Sequence, residues 1–339
     1  MSEAGLLPSR SQLRQLTGVQ IVGTGCYLPD KVVTNDDLAN LGCDAEWIIQ
    51  RTGIRERRHA PPEIATSDMA VEAAERSLEA AGVDRGEIDL LVLATLSPDY
   101  LMPATATAVQ DRLGLCCAAM DVSAACAGFM YAMVTAAQFI AAGTSRYALV
   151  IGADTNSRVM DPDDKKTYPL FGDGAGAVVL AKSSDEQGLV AYTLGANGSG
   201  TELLIRPAGG VRNPLSMSGE NVRDWFVKMD GRPVFKWAVR LLEDTTNQVL
   251  GAAGVDRDDV SLWIFHQANV RIIDAAVDSL GIDRSKVVLH LDRYGNTSAG
   301  SVPIALDESL RAGQIRRGDL VLMCGFGGGL SWGTALMRW

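Results

Sequence analysis

The chain contains a long internal repeat, and this feature limits its possible folds more than any other. The hexapeptide Ala-Ala-Gly-Val-Asp-Arg occurs at 80–85 and again at 252–257, which is 172 residues further on. In both copies the glycine ends a helical pattern, and a short apolar run follows, at 88–95 and at 260–267. The same offset aligns Cys-Ala-Gly at 126–128 with Ser-Ala-Gly at 298–300. A period this long is typical of a duplicated domain rather than of a solenoid.

Each half alternates short apolar runs with helical patterns, which predicts an α/β fold of mainly parallel sheets covered by helices. We predict a polar and mobile N-terminal extension at 1–17, a first half at 18–185 and a second half at 186–339. The segment 196–232 is rich in Gly, Asn, Pro and Ser, so we expect it to form loops near a site rather than part of a core.

Composition argues against several classes of function. Of the 339 residues, 47% are hydrophobic and 21% are charged, which is typical of a compact soluble protein. We expect no membrane span, because every apolar run is shorter than the ~18 residues that a span needs. We also expect no secretory signal, because the N-terminal segment lacks a charged region followed by an apolar core. The six cysteines include no Cys-x-x-Cys pair, so we expect free thiols in a reducing cytoplasm and no zinc site. A formal charge of −10 argues against nucleic acid as a partner.

Three polar residues stand where α/β sheets form their sites, at the carboxyl ends of strands or at the start of the following helix. Cys126 lies at a helix start, whose amide protons and partial positive charge favour thiolate over thiol. His266 ends an apolar run, and Asn296 precedes the helical stretch equivalent to the one after Cys126. If the two halves pack about a pseudo-twofold axis, the three residues converge at their junction.

Each of these residues also has an ordinary structural interpretation. Cys126 suits a small buried apolar position, His266 a core histidine, and Asn296 a helix cap or turn. Together, a sulfur, an imidazole and a carboxamide can form an acyl-thioester and stabilise an oxyanion. Papain-like peptidases use the same residue types, so the set by itself leaves the reaction open.

Six motifs in order along the chain share one resemblance. They are Glu-Trp-Ile-Ile-Gln-Arg-Thr-Gly-Ile-Arg at 46–55, Ala-Cys-Ala-Gly at 125–128, Phe-Gly-Asp-Gly-Ala-Gly at 171–176, His-Gln-Ala-Asn at 266–269, Gly-Asn-Thr-Ser at 295–298 and Gly-Phe-Gly-Gly-Gly-Leu-Ser-Trp-Gly at 325–333. They closely resemble the motifs of β-ketoacyl-acyl carrier protein synthase III, and the similarity runs from about residue 18 to the last residue. The resemblance implies a thiolase-like fold, in which a duplicated αβα unit forms a five-layer αβαβα architecture, usually as a homodimer.

By matching position, the resemblance implies a role for each candidate. Cys126 would accept an acyl group from acyl-coenzyme A, and the backbone amides of Cys126 and Gly328 would hold the oxyanion. Malonyl-acyl carrier protein would then lose carbon dioxide. His266 and Asn296 would hold the resulting enolate, which attacks the acyl group and so initiates fatty-acid synthesis. The cycle implies no metal and no cofactor, since the coenzyme A thioester is a substrate.

The resemblance also implies binding residues. Contacts to coenzyme A are expected at Trp47, Arg51, Lys165 and Asn269. Lys165 stands where the family often has an arginine, and it lacks the planar guanidinium that stacks on adenine. Met102 matches a residue that caps the partner subunit's acyl pocket, and a methionine there favours a starter broader than acetyl. Contacts to the acidic carrier protein are expected at Lys236, Gln267, Ala268, Asn269, Val270 and Arg271.

Other hypotheses remain beside an enzyme that initiates fatty-acid synthesis. The chain could be a starter-unit or ester-forming acyltransferase of secondary metabolism, in which the carrier or the final nucleophile differs. It could also be a catalytically silent partner subunit, although the intact Cys126, His266 and Asn296 argue against this. A thiol peptidase is disfavoured because nothing around Cys126 resembles that family.

Overall fold

The computed structural model describes residues 11–184, 186–216 and 218–339. The strands, in chain order, are β1 (Arg14–Thr17), β2 (Val19–Tyr27), β3 (Val32–Thr34), β4 (Glu56–Arg58), β5 (Ile88–Ala94), β6 (Ala118–Val122), β7 (Tyr147–Asp154), β8 (Gly174–Lys182), β9 (Gly188–Ala196), β10 (Leu204–Ile205), β11 (Lys228–Met229), β12 (Val260–Phe265), β13 (Leu320–Gly327) and β14 (Ser331–Arg338). The α-helices are α1 (Ala45–Thr52), α2 (Thr66–Ala81), α3 (Thr105–Arg112), α4 (Gly128–Ala141), α5 (Gly231–Ala253), α6 (Val270–Leu280), α7 (Leu291–Tyr294) and α8 (Ser301–Arg311).

Two five-stranded sheets of the same design form the frame. Their strand orders are β2-β8-β7-β5-β6 and β1-β9-β14-β13-β12. Taken in chain order, β2, β5, β7 and β8 correspond to β9, β12, β13 and β14, which confirms the predicted duplication. The second half replaces the counterpart of β6 with a single bridge between Trp263 and Val287.

The sheets are mixed, and the prediction of mainly parallel sheets was wrong. The strand β5 is parallel to β6 and to β7, but β8 is antiparallel to both β7 and β2. In the second sheet only β12 and β13 are parallel. The reason is that no α-helix separates β7 from β8 or β13 from β14 in these fully described segments, and a strand that returns without a crossover lies antiparallel to its predecessor.

The elements stack in five layers, as the fold class predicted. Helices α2 and α3 cover the outer face of the first sheet, and α5 covers that of the second, where α6 packs beside it. Helices α4 and α8 lie between the two sheets and contact both. The helix α4 is apolar on every side, which suits a helix covered on both faces, and its Phe129, Met130 and Met133 are buried.

The predicted extension at 1–17 is partly integrated into the fold. Residues 1–10, at the start of the predicted extension, lie outside the described residues. The same is true of residue 185, the predicted end of the first half. Residues 14–17 form β1, an edge strand that pairs with β9 through Leu16 and Leu189. Leu16 packs against the central core, so this part of the chain belongs to the second sheet and is not a mobile tail.

Within the residues that the structure describes, none of the helices combines the length and apolar character needed to cross a bilayer.

Candidate active site

Cys126 lies in a tight turn that joins β6 to α4. The turn spans Ala125–Ala127, and Ala125 has a left-handed backbone with φ 45°. Close packing requires the small residues around it, since a Cβ on Gly128 would lie 2.9 Å from the Cβ of Ala94. The turn therefore brings the sulfur-bearing residue to the end of the first sheet, where only 5% of it remains exposed.

The second half contains a matching turn at Ser298–Gly300. Ala125 and Ser298 (φ 51°) are the two non-glycine residues with positive φ in the described chain, and they are 173 residues apart. The sequence alignment at an offset of 172 is therefore corrected by one residue here, so that Cys126 corresponds to Ala299 and not to Ser298.

Asn296 is held beside this second turn by its backbone and by its side chain. Its amide donates to Leu170 O at 2.8 Å, and its carbonyl accepts from Gly172 N at 3.0 Å. Its side-chain Oδ1 accepts from Ser298 N at 2.8 Å. Because this contact fixes the oxygen of the carboxamide, the donor Nδ2 is the group that Asn296 can offer to a ligand.

His266 follows β12 and is almost fully buried. Its backbone amide donates to Cys324 O at 2.7 Å, and its ring meets Phe326 edge-on at a centroid distance of 5.1 Å. Burial and, to a lesser extent, the neighbouring His290 lower the pKa of His266 to about 3. The imidazole is therefore neutral near physiological pH, with one nitrogen as a donor and the other as an acceptor.

The structure brings the three side chains together in one cavity of about 150 Å³. Cys126 comes from the first half, whereas His266 and Asn296 come from the second. The rest of the lining is largely apolar and includes Leu170, Phe171, Leu204, Val234, Phe235, Trp237, Ile272 and Phe326. Such walls suit the chain of a thioester and keep water from the sulfur.

Burial outweighs the stabilisation of a Cys126 thiolate that was expected from the helix start. Burial raises the pKa of the thiol to about 12, and the charge of Asp154 acts in the same direction. The Ser298 hydroxyl lies close to the Cys126 thiol and to the Asp154 carboxyl, but its oxygen makes no hydrogen bond of normal geometry within the described residues. The Cys126 side chain is therefore a thiol near neutral pH, and its proton must leave if the sulfur is to react.

The predicted oxyanion residues lie next to each other. A Cβ on Gly327 would lie 2.8 Å from Cys126 N, and one on Gly328 would lie 3.6 Å from the Cβ of Ala125. The strand end that carries both glycines thus passes directly over the nucleophile turn. The sequence-based prediction named Gly328 but not Gly327. Alignment of β7 with β13 would have matched Gly327 to Asp154.

Three of the residues predicted to contact coenzyme A form one group beside the cavity. The guanidinium of Arg51 stacks on the ring of Trp47, 4.7 Å from its centroid. Asn269 lines the cavity and donates its Nδ2 to Arg51 O at 3.1 Å. Lys165 is exposed on a separate turn and does not line the cavity.

The residues predicted to contact the carrier protein divide into exposed and buried ones. Lys236 and Arg271 are exposed, and Arg271 lies over the ring of Phe235 on the cavity wall. Ala268, Asn269 and Val270 are half-buried. Gln267 is fully buried, so its prediction as a docking contact is wrong. Its amide instead joins β12 to the next segment, donating to Phe265 O and Val288 O and accepting from His290 N.

Met102 does not line the cavity of its own chain. It lies at the tip of a loop, with 87% of its surface exposed, and its neighbours Tyr100 and Leu101 are exposed by 68% and 76%. Its contact with the pocket of a partner subunit stays a prediction.

A duplicated αβα fold, with a cysteine from one half facing a histidine and an asparagine from the other, is the arrangement of a thiolase-like condensing enzyme. Family models agree with this class. The model described as 3-oxoacyl-[acyl-carrier-protein (ACP)] synthase III matches residues 120–198, and the model for the C terminal of the same family matches residues 250–339.

Individual relatives define the family more narrowly. The β-ketoacyl-[acyl-carrier-protein] synthase III of Rhodopirellula baltica is 54% identical over 342 residues, covering 96% of this chain and 99% of that protein. The synthase III of Desulfitobacterium hafniense is 48% identical and covers 96% and 98%. Among solved structures, the 3-oxoacyl-[acyl-carrier-protein] synthase III of Aquifex aeolicus is 45% identical with a TM-score of 0.86, covering 95% of this chain and 100% of that one.

The chain belongs to the β-ketoacyl-acyl carrier protein synthase III family. It is an acyltransferase that performs the condensation initiating fatty-acid synthesis, which confirms the function predicted from the sequence.

Proposed function

We propose that the enzyme transfers an acyl group from acyl-coenzyme A to Cys126 and then condenses it with malonyl-acyl carrier protein. The observation that carries this proposal is the convergence of Cys126, His266 and Asn296 in one apolar cavity at the junction of the two halves. A thioester placed there meets a nucleophile and two hydrogen-bonding side chains at once.

In the first step the Cys126 sulfur attacks the thioester carbonyl of acyl-coenzyme A. The backbone N–H groups of Cys126 and Gly328 hold the oxyanion, because the glycine strand end lies directly over the nucleophile turn. The carbon–sulfur bond to coenzyme A then breaks. The departing sulfur takes up the proton that Cys126 releases, so the step yields acyl-Cys126 and free coenzyme A.

In the second step the malonyl group loses carbon dioxide, and the electron pair of the broken bond moves into an enolate. The neutral His266 and the Nδ2 of Asn296 donate hydrogen bonds to the enolate oxygen. A protonated His266 would be costly in this buried site, and its lowered pKa keeps it neutral. The enolate carbon attacks acyl-Cys126 and expels the Cys126 thiolate, which takes up one proton from solvent as the β-ketoacyl carrier departs. This cycle needs no metal and no redox cofactor.

Coenzyme A would enter beside the Trp47–Arg51 stack, which Asn269 connects to the cavity. An aromatic ring with a guanidinium on one face is a suitable surface for adenine. Lys165 would add a positive charge for the phosphates of coenzyme A without stacking on the base.

The carrier protein would dock on an exposed basic face beside the same entrance. Arg232, Lys236 and Arg240 are exposed at four-residue intervals along α5, and Arg271 is exposed at the start of α6. Basic side chains grouped on a chain with a net charge of −10 favour an acidic partner at this face.

The functional unit would be a homodimer in which the loop tip at Tyr100, Leu101 and Met102 is covered by the second subunit. Three large apolar side chains in a row are exposed there, which is costly for an isolated chain. Met102 would cap the partner's acyl pocket, and its flexibility favours starters broader than acetyl.

All six cysteines are free, which fits a reducing cytoplasm.

A second candidate function is a starter-unit enzyme of secondary metabolism. The priming β-ketosynthase of the R1128 polyketide pathway is 37% identical with a TM-score of 0.87, covering 95% of this chain and 97% of that one. Both functions use the same chemistry on Cys126, so the accepted starter and carrier distinguish them.

Intact-mass measurement over a panel of acyl-coenzyme A thioesters tests the proposal. One acyl mass should appear on the wild type and not on Cys126→Ser. His266→Ala and Asn296→Ala should still become acylated but should release carbon dioxide from malonyl-acyl carrier protein roughly a hundredfold more slowly. Failure of every thioester to add mass, or normal decarboxylation in both variants, would contradict the proposal.

A further inference from the structure

A buried carboxylate, that of Asp154, connects the two halves next to the active site. Asp154 is the last residue of β7 and is fully buried. Its Oδ1 accepts hydrogen bonds from Thr95 Oγ1 (2.8 Å), from Leu96 N (2.8 Å), and from Ser97 N (3.1 Å) and Oγ (2.9 Å), all just after β5. Its Oδ2 accepts from Ala299 N, in the second half, at 3.0 Å. One side chain thus joins the end of the first sheet to the turn that follows Asn296.

The internal repeat shows what is special about this contact. Ala299 corresponds to Cys126, and Asp154 corresponds to Gly327, both at the offset of 173 residues that relates Ala125 to Ser298. In the first half a carboxylate therefore occupies the space beside the Ala299 amide. In the second half a glycine leaves the equivalent space beside the Cys126 amide without a side chain. The two matching turns are thus stabilised differently, one by a side chain and the other without one.

The turn that Asp154 holds needs such support. Ser298 has a left-handed backbone, which is unfavourable for a residue with a side chain and persists only where the surroundings enforce it. Ser298 N is also the donor that fixes the Asn296 carboxamide through Oδ1 at 2.8 Å. A shift of the turn would therefore rotate the Asn296 carboxamide relative to the cavity that it lines.

We propose that Asp154 is a positioning residue, which holds the turn at Asn296–Ala299 against the first half and so directs the Asn296 amide at the enolate oxygen. This inference rests on the proposed role of Asn296. It assigns Asp154 to the decarboxylation and condensation steps and not to the acylation of Cys126.

Asp154→Asn tests this assignment, because the asparagine side chain has the same shape as that of aspartate and so keeps the packing at this position. The amide oxygen of asparagine can still accept from Thr95, Leu96 and Ser97, but its NH₂ group would face the Ala299 N–H as donor against donor. The variant should acylate Cys126 at least as fast as the wild type, because it removes a charge that disfavours the Cys126 thiolate. Its kcat for decarboxylation and condensation should fall about ten- to a hundredfold, with an unchanged KM for malonyl-acyl carrier protein. Thr245→Val is the matched control, since it removes a buried hydroxyl in α5 that bonds Leu241 O and Thr334. It should change neither step.

The inference would be overturned if Asp154→Asn slowed both steps equally or slowed neither. If Asp154→Asn does not fold, Thr95→Val loosens the same carboxylate and must slow decarboxylation more than acylation, and equal effects would overturn the inference. Asn296→Ala, measured in parallel, separates the two proposals. Normal decarboxylation in Asn296→Ala would reject the proposed role of Asn296. Slow decarboxylation in Asn296→Ala with normal decarboxylation in Asp154→Asn would reject the role of Asp154 alone.

Discussion

Replacement of Gly327 by alanine tests whether fast acyl transfer requires a residue without a side chain beside the Cys126 backbone. The added Cβ would lie 2.8 Å from Cys126 N and 2.9 Å from Cys126 Cβ, whereas ordinary contacts begin at 3.4 Å. The nucleophile turn must therefore withdraw by about 0.6 Å, the difference between 3.4 Å and 2.8 Å. Gly327 lies in β13 and pairs with Ser331, so the strand itself is not free to yield.

This displacement has two measurable consequences. Overpacking of a well-packed interior costs about 1–3 kcal/mol, which should lower the melting temperature by several degrees. Misplacement by ~1 Å can cost about a hundredfold in rate, so acylation of Cys126 should slow by roughly ten- to a hundredfold. Acylation should suffer most, because the methyl group touches the nucleophile and its amide.

The assay is the rate of mass gain on Cys126 in single-turnover mixtures, together with thermal unfolding. Gly251→Ala in α5 is the matched control, because a Cβ there meets no atom within 4 Å. It should acylate like the wild type and melt at the same temperature or slightly higher. An acylation rate and melting temperature of Gly327→Ala equal to those of the wild type would refute the packing argument.

Three further predictions concern stability and docking. Burial lowers the pKa of His59 from 6.5 to about 4, so the unfolded state binds the extra proton and stability is lost as the pH falls through this range. In denaturant titrations His59→Phe should remove about 1.4 kcal/mol per pH unit of this acid sensitivity, and a slope equal to that of the wild type would contradict the assignment. Gln267→Glu would turn a carboxylate oxygen towards Phe265 O and Val288 O, so its melting temperature should fall, and an unchanged value would contradict the buried placement. Arg271→Glu should instead raise the KM for the carrier protein and leave the melting temperature unchanged, and a wild-type KM at low salt would argue against docking at α6.

The repeated hexapeptide and the periodicity of the runs allowed much of the fold to be predicted from the sequence. The helix-ending glycines at 82 and 254 have the left-handed backbone expected of helix ends, and the apolar runs after them form β5 and β12. The direction of β8 and β14 was not predictable in the same way. It depends on a missing crossover helix, whereas apolar periodicity reports burial and not strand direction.

The candidate site was predicted less evenly. The convergence of Cys126, His266 and Asn296 followed from the duplication, because equivalent strand ends meet at the junction of equivalent halves. The burial of Gln267 did not follow, because the sequence does not show whether a polar residue beside His266 faces a partner protein or the core. The state of the Cys126 thiol was also beyond the sequence, because burial outweighs the helix start only after both halves have closed over it.

The sequence by itself determined what repeats, where the strands and helices fall, and which chemical groups stand at their ends, because these follow from local periodicity and residue type. The tertiary structure decided which groups face each other across the two halves. The amide of Ala299 donates to the carboxylate of Asp154, while the equivalent amide of Cys126 lies beside Gly327, which has no side chain. The physical reason is that hydrogen bonding, burial and pKa depend on distances between atoms, and those distances exist only once residues more than a hundred positions apart have packed together.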